Sequence, residues 1–244
     1  MSAEAWIVWY SCGVMAQLGR REERTSTLPY RVFHPFARLH LRVNPFGEVP
    51  EAERGGLVVP VVELRPLAEW LKAPGRAVEF LGECGHGKSS HLHALRDLMR
   101  APGGMPVLTR FGPDERAKAR AVPRAPVSFV DESQLLSGRE RRRLFQRSGS
   151  FALGTHESHA EELRSRGFDC RTVIVDTNDF ENVKRIVAGR IAWARDGEGS
   201  PPQVSEATLR RLHTKCGADL RLLGDELYDL YQRWVSEGGC DDDI

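Results

Sequence analysis

Phe80–Leu92 reads FLGECGHGKSSHL, and this stretch decides the fold. Within it, Gly82–Ser89 (GECGHGKS) fits the spacing Gly-x-x-x-x-Gly-Lys-Ser/Thr. That spacing has a physical origin. Glycines let successive backbone N–H groups curl round phosphate oxygens, and the helix that follows adds the positive end of its dipole. A lysine then reaches the β and γ phosphates, and a hydroxyl offers a ligand to magnesium. Lys88 and Ser89 fill the last two roles, while Gly82, Glu83, Cys84, Gly85, His86, Gly87 and Ser90 form the cradle. The flanks agree: RAVEFL before the loop reads as a strand, and KSSHLHALRDLM after it carries Leu92, Leu95, Leu98 and Met99 at helical spacing. A merely flexible glycine turn would need neither.

VSFVDE, residues 127–132, supplies the second half of such a site. A run of apolar and β-branched residues closing on two acids is the pattern of a strand buried on both faces. Asp131 at its end can hold magnesium through water, and Glu132 can orient or deprotonate an attacking water. The same two acids would also suit the start of the following SQLLSG as simple helix caps.

Reading outward, short strands alternate with helices. RAVEFL, MPVLTRF, VSFVDE, GSFALGTH and CRTVIVD are the strands; KSSHLHALRDLM, SQLLSGRERRRLFQRS and ESHAEELRSRG are helices between them. PVVELRPLAEWLKAPG adds a helix ahead of the first strand. Alternation of this kind argues for an α/β fold with a five-stranded parallel sheet covered on both faces. Beyond Asp176 the strands stop, and DFENVKRIVAGRIAWARD, SEATLRRLHTKCG and ADLRLLGDELYDLYQRWV read as amphipathic helices, with Ser205 a fitting N-cap. The expected organisation is an N-terminal extension over 1–50, an α/β nucleotide-binding core over 51–176, a small helical lid over 177–236 and an acidic tail over 237–244.

Composition narrows the partners little. The 244 residues carry a formal net charge of +1, so bulk charge neither implies nor excludes nucleic acid. Five scattered cysteines with no CxxC pair read as reduced, cytoplasmic usage, not as a disulfide frame or zinc site. The apolar run Ala5–Tyr10 is too short to span a bilayer and lacks the basic flank of a signal peptide, so no membrane is expected.

The order of phosphate loop, acid pair, FALGTH, ELRSRG and a helical region containing GADLR resembles the AAA+ P-loop ATPases over about residues 55–235. The likeness is closest to their origin-recognition and transposition-regulator (ExeA-like) branch. The resemblance implies an AAA+ core with a C-terminal lid, ATP and Mg2+ as ligands, and a homo-oligomer. By it, Thr155 stands where a sensor of the γ-phosphate is kept, with His156 beside it as a departure from the usual residue. Arg221 in GADLRLL matches the second sensor, and Arg164 and Arg166 lie where a finger completes a neighbour's site. Val58–Val62 would pass beside the adenine. Bland readings stand next to these: arginines on an exposed helix are ordinarily solvated, Thr155 could cap a strand end, and Val58–Val62 could be core.

The residues and the resemblance together point to an ATPase that hydrolyses ATP to ADP and phosphate, an oligomerising regulator acting on DNA or a DNA-bound complex. A nucleotide-gated switch or scaffold for a protein partner, with little turnover, is the alternative. Arg139–Arg147, RERRRLFQR, fits either a solvated helix face or contact with a phosphate backbone or partner.

Overall fold

The computed structural model describes residues 35–100, 105–113, 116–176 and 179–238. The apolar run Ala5–Tyr10 and the tail beyond Gly238 lie outside them. Five strands, β1 (Arg76–Leu81), β2 (Leu108–Arg110), β3 (Val127–Asp131), β4 (Ser150–Thr155) and β5 (Asp169–Ile174), form one sheet in the order β2-β3-β4-β1-β5. Every neighbouring pair is parallel. The five-stranded α/β fold expected from the sequence is therefore present.

Side-chain alternation splits each inner strand between two cores. Val78, Phe80, Phe129 and Ala152 face Leu64, Leu67 and Leu71 of α2 (Leu64–Leu71) and Leu92 and Leu95 of α3 (Lys88–Leu98). Ala77, Val130, Phe151 and Leu153 face the opposite way, onto Leu144 and Phe145 of α4 (Gly138–Phe145) and Leu163 of α5 (Ala160–Arg164). Between Ala77 and Leu81 on that second face stands Glu79, fully buried. Its carboxylate accepts from Ser158 Oγ (2.6 Å), His159 N (2.8 Å) and Thr172 Oγ1 (2.6 Å). These donors replace the water that a buried carboxylate forfeits, and they hold the start of α5 against the sheet.

Two helices are shorter than their sequence suggests. SQLLSGRERRRLFQRS becomes a 3-10 turn at Ser133–Leu135 followed by α4, which starts only at Gly138 with Ser137 as its cap. Glu132 ahead of the turn is left-handed (φ 58°), and Ser133 is buried with its hydroxyl donating to Gly154 O, so the chain cannot run straight into a helix. Likewise α5 starts at Ala160, because Ser158 and the His159 amide are already committed to Glu79.

The last helices, α6 (Phe180–Ala194), α7 (Glu206–Cys216) and α8 (Leu220–Glu237), share a core built on Val183, Ile191, Leu209, Leu227, Tyr231 and Trp234. Ser205 caps α7 as its sequence suggests, accepting from Thr208 N. Phe36, Leu39 and Leu41 belong to the same core. Leu41 bridges Arg195 in antiparallel fashion, Arg42 N donates to Ala194 O, and Asn44 Nδ2 donates to Tyr228 O. Residues 36–44 thus complete the helical layer. The chain then passes through α1 (Glu51–Arg54) to the α/β body. No helix among the described residues is long and apolar enough to cross a membrane.

Leu41 is fully buried in that layer. Leu41→Ala is expected to cost about 2–5 kcal/mol, the range for truncating a buried leucine. Urea unfolding measures it; a loss below about 0.5 kcal/mol would mean that this segment does not support the helices.

Candidate functional site

The loop between β1 and α3 follows from its backbone. Gly85 (φ 83°) and Gly87 (φ 89°) occupy the left-handed region that other residues avoid. A Cβ on Gly85 would also collide with the Asp219 carboxylate, which caps α8. The loop is fixed by its carbonyls: Glu83 O accepts from Lys88 Nζ (2.7 Å), Gly85 O from Leu220 N (3.3 Å), and Gly87 O from His91 Nδ1 (2.9 Å). The amides of Gly85 and Gly87 have no partner among the described residues, and they border the open cleft. Two open N–H groups at the start of a helix are suited to an anion.

His91, on α3 and 2% exposed, holds the loop from behind. Its Nδ1–H donates to Gly87 O while Nε2 accepts from Val61 N (3.0 Å), which fixes the neutral tautomer. Burial pushes its pKa below the ordinary value, partly opposed by the Gly87 carbonyl.

At the start of α3, Lys88 is 5% exposed with its pKa lowered by burial, against the raising pull of Glu132 and Asp131. Ser89 Oγ donates to Asp131 Oδ2 at 2.7 Å, so hydroxyl and buried carboxylate meet across the ends of α3 and β3. Two hard oxygen donors fit magnesium, which keeps most of its waters. Glu132 is tethered by Gln134 Nε2 (2.6 Å) and lies 3.4 Å from His156 Nε2, which is itself 3.5 Å from Lys88 Nζ. A positive φ at Glu132, between a metal-suited acid and the cleft, is strain of the kind that functional sites keep.

Thr155 and His156 divide at the end of β4. The Thr155 hydroxyl is fully buried and turns back to Glu157, donating to its carbonyl (2.6 Å) and accepting from its amide (3.1 Å). His156 is the side chain of the two that faces Lys88 and Glu132. Arg221, in the first turn of α8, lines the cleft and touches Cys84 Sγ. Arg164 and Arg166 are exposed and do not line this cleft; Arg164 donates to Cys170 O at the start of β5.

Sequence reasoning missed Arg110. It ends β2, pairs with Asp131 in the strand register, and places Nε 3.7 Å from Asp131 Oδ2. Its signal was positional: the last polar residue of the strand preceding the acidic one. Of the apolar end of the cleft, about 560 Å3 in all, it reached only Val58; Phe46, Val49 and Leu57, which face Ile186, Val187, Leu223 and Leu227, were missed. Of Val58–Val62, Val58 lines the cleft, whereas Val61 and Val62 pack on the body.

The chain is similar in structure to AMPPCP-bound DnaA from Aquifex aeolicus, with a TM-score of 0.51 and 15% identity. That match covers 76% of this chain and 62% of the other, so the chain spans less than two thirds of the length of that relative. NtrX from Brucella abortus, solved in complex with ADP, aligns with a TM-score of 0.47 and 12% identity over 79% of this chain and 55% of its own. No protein-family model matches the sequence, and no curated protein matches it. The likeness to DnaA shows the fold alone: a five-stranded parallel α/β core followed by a helical C-terminal region.

His91 sets a pH dependence. Its folded pKa is depressed from 6.5, so its contribution is complete above that value and is lost as pH falls through the folded pKa. Unfolding free energy should therefore drop as pH is lowered from about 6.5, by up to about 1.4 kcal/mol per unit for this one group. His91→Gln should flatten the profile by that share. Chemical denaturation across pH 5–8 checks it, and an unchanged slope in the variant would remove His91 from the account.

Proposed function

We propose that this chain binds Mg2+-ATP between the α/β body and the helical lid and hydrolyses it to ADP and phosphate. The observation that carries the reading is the convergence of Lys88, Ser89, Asp131 and Glu132 around a loop with free amides, with α8 bringing Arg221 onto that loop. The apolar end of the cleft suits a base, and the loop suits phosphates. Ser89 and Asp131 would hold magnesium, which supplies charge neutralisation on the β and γ phosphates. Lys88 and the loop amides position those phosphates, and Glu132 takes the proton of an attacking water once freed from Gln134. His156, facing both Lys88 and Glu132, takes the γ-phosphate-sensing place beside Thr155, whose hydroxyl supports the turn.

Neither Arg164 nor Arg166 is among the described residues that line the cleft, so a finger role for either requires a second copy. A missing arginine of this kind is worth about 10^3–10^5 in rate, and an isolated subunit should be slow. We infer an oligomerising regulator that acts on DNA or on a DNA-bound complex. The tether on Glu132 also favours the other reading, a nucleotide-gated switch for a protein partner in which binding matters more than turnover.

Measuring ATP turnover and particle size together, with and without DNA, for wild type and Glu132→Gln tests this. Glu132→Gln is expected to retain ATP while turnover falls about 10^2-fold or more. Turnover unaffected by the substitution would remove Glu132 from catalysis. An ATP-dependent size change without DNA retention would select the switch.

A further inference from the structure

Between Arg116 and Arg147 the chain carries nine basic residues and only Asp131, Glu132 and Glu140 as acids. Asp131 and Glu132 face the nucleotide cleft. Glu140 is consumed locally, accepting from Ala119 N (2.9 Å) and pairing with Arg143. In a protein of net charge +1, this is a marked concentration of positive charge.

The fold gathers these residues onto one face. The Glu140 bond ties the segment around Ala119 to α4, and Arg147 ties it again, donating to Val122 O and Ala119 O, both at 2.7 Å. On α4, Leu144 and Phe145 turn into the core while Arg139, Arg142 and Arg143 point outward. Arg116, Arg120 and Arg124 are exposed on the segment alongside. Arg116, Arg120 and Arg124 form no ion pair with a carboxylate among the described residues, and the charge of Arg139 acts on Glu140, which pairs with Arg143.

At the amino ends of β3 and β4, away from the nucleotide cleft, Arg124 and Arg147 line a groove of about 320 Å3 with Ser128, Ser148 and Gly149. Arg147 is half-buried and held by carbonyls alone. Burial first, and then the neighbouring Arg124 charge, pull its pKa down. Two guanidinium groups without an acid between them leave room for an anion.

We propose that this face, formed by Arg116–Arg124, α4 and the Arg124–Arg147 groove, binds the phosphate backbone of duplex DNA without reading its sequence. The inference rests on the DNA-associated reading above and names the surface it would use. Charge without apolar anchors favours DNA over an acidic protein. Of the exposed large apolar side chains (Val43, Leu98, Val107, Leu135, Ile174, Leu222 and Tyr228), only Leu135 falls in this stretch. Protein interfaces bury aromatic and apolar side chains at their centre, whereas backbone contact needs cations and counterion release.

The test is fluorescence anisotropy of a labelled random-sequence duplex against protein over a salt series, with ATP. One variant carries Arg120→Ala, Arg124→Ala, Arg139→Ala and Arg142→Ala. A second removes the same charge elsewhere, through Arg65→Ala, Arg185→Ala, Arg211→Ala and Arg233→Ala, all exposed. Binding of a fluorescent ATP analogue checks that both variants fold. The first variant should bind DNA about tenfold more weakly or worse, with a salt slope shallower by about 0.9 for each contact removed, and the second should stay near wild type. Wild type and the first variant holding DNA equally would overturn this surface while leaving the DNA reading intact. Equal weakening in both variants would reduce the effect to bulk charge and overturn it too. Wild type that retains no DNA at low salt would overturn both readings, as would binding of polyglutamate but not of DNA.

Discussion

A loop that offers its amides to an anion cannot use them to hold itself in place. Ordinary turns are fixed by their own N–H groups; here only Gly82 N and His86 N serve that way, to Thr155 O and Glu83 O, and the rest of the support comes from elsewhere. The carbonyls of Glu83, Gly85 and Gly87 take donors from Lys88, the α8 backbone and His91 in turn. His86 Nδ1 lies 3.1 Å from Val175 O beyond β5. The chain around the loop is therefore arranged as support: a buried imidazole behind it, a lysine folded back beneath it, and a capped helix end resting on it.

Glu79 applies the same logic at a distance. A carboxylate inside a sheet is tolerable only when donors surround it, and the donors chosen here belong to Ser158, His159 and Thr172. Satisfying it fixes the chain just after His156, so the residue facing Lys88 and Glu132 sits on a braced turn. A buried charge thus places a side chain at the cleft that it never touches.

What the sequence made legible was local. The glycine spacing, the apolar run before Asp131, and the alternation of strands with helices are each carried by neighbours in the chain, and each appears in the structure. Illegible features depended on partners far apart. That Phe36, Leu39 and Leu41 would complete a core with Tyr231 and Trp234 has no signature in a short Pro- and Arg-rich lead-in. Arg110 came to the site through the pairing of β2 with β3, which a three-residue strand barely announces. At the end of β4, alternation stops, so nothing in FALGTH indicates that the Thr155 hydroxyl turns back to Glu157 while His156 looks into the cleft. The delayed start of α4 has the same cause: a left-handed Glu132 is set by its tertiary setting, and helix propensity cannot foresee it.

Because residues 36–44 pack with the last three helices while α1 leads back toward the body, the polypeptide crosses between the two layers twice, once after Val49 and once after β5. A layer joined by a single strand can swivel about any axis. One joined by two is confined to an axis running through both crossings, like a door on paired pins. Any movement of α8 relative to the loop between β1 and α3 would then be a swing of fixed direction, carrying Arg221 along one arc toward or away from Lys88.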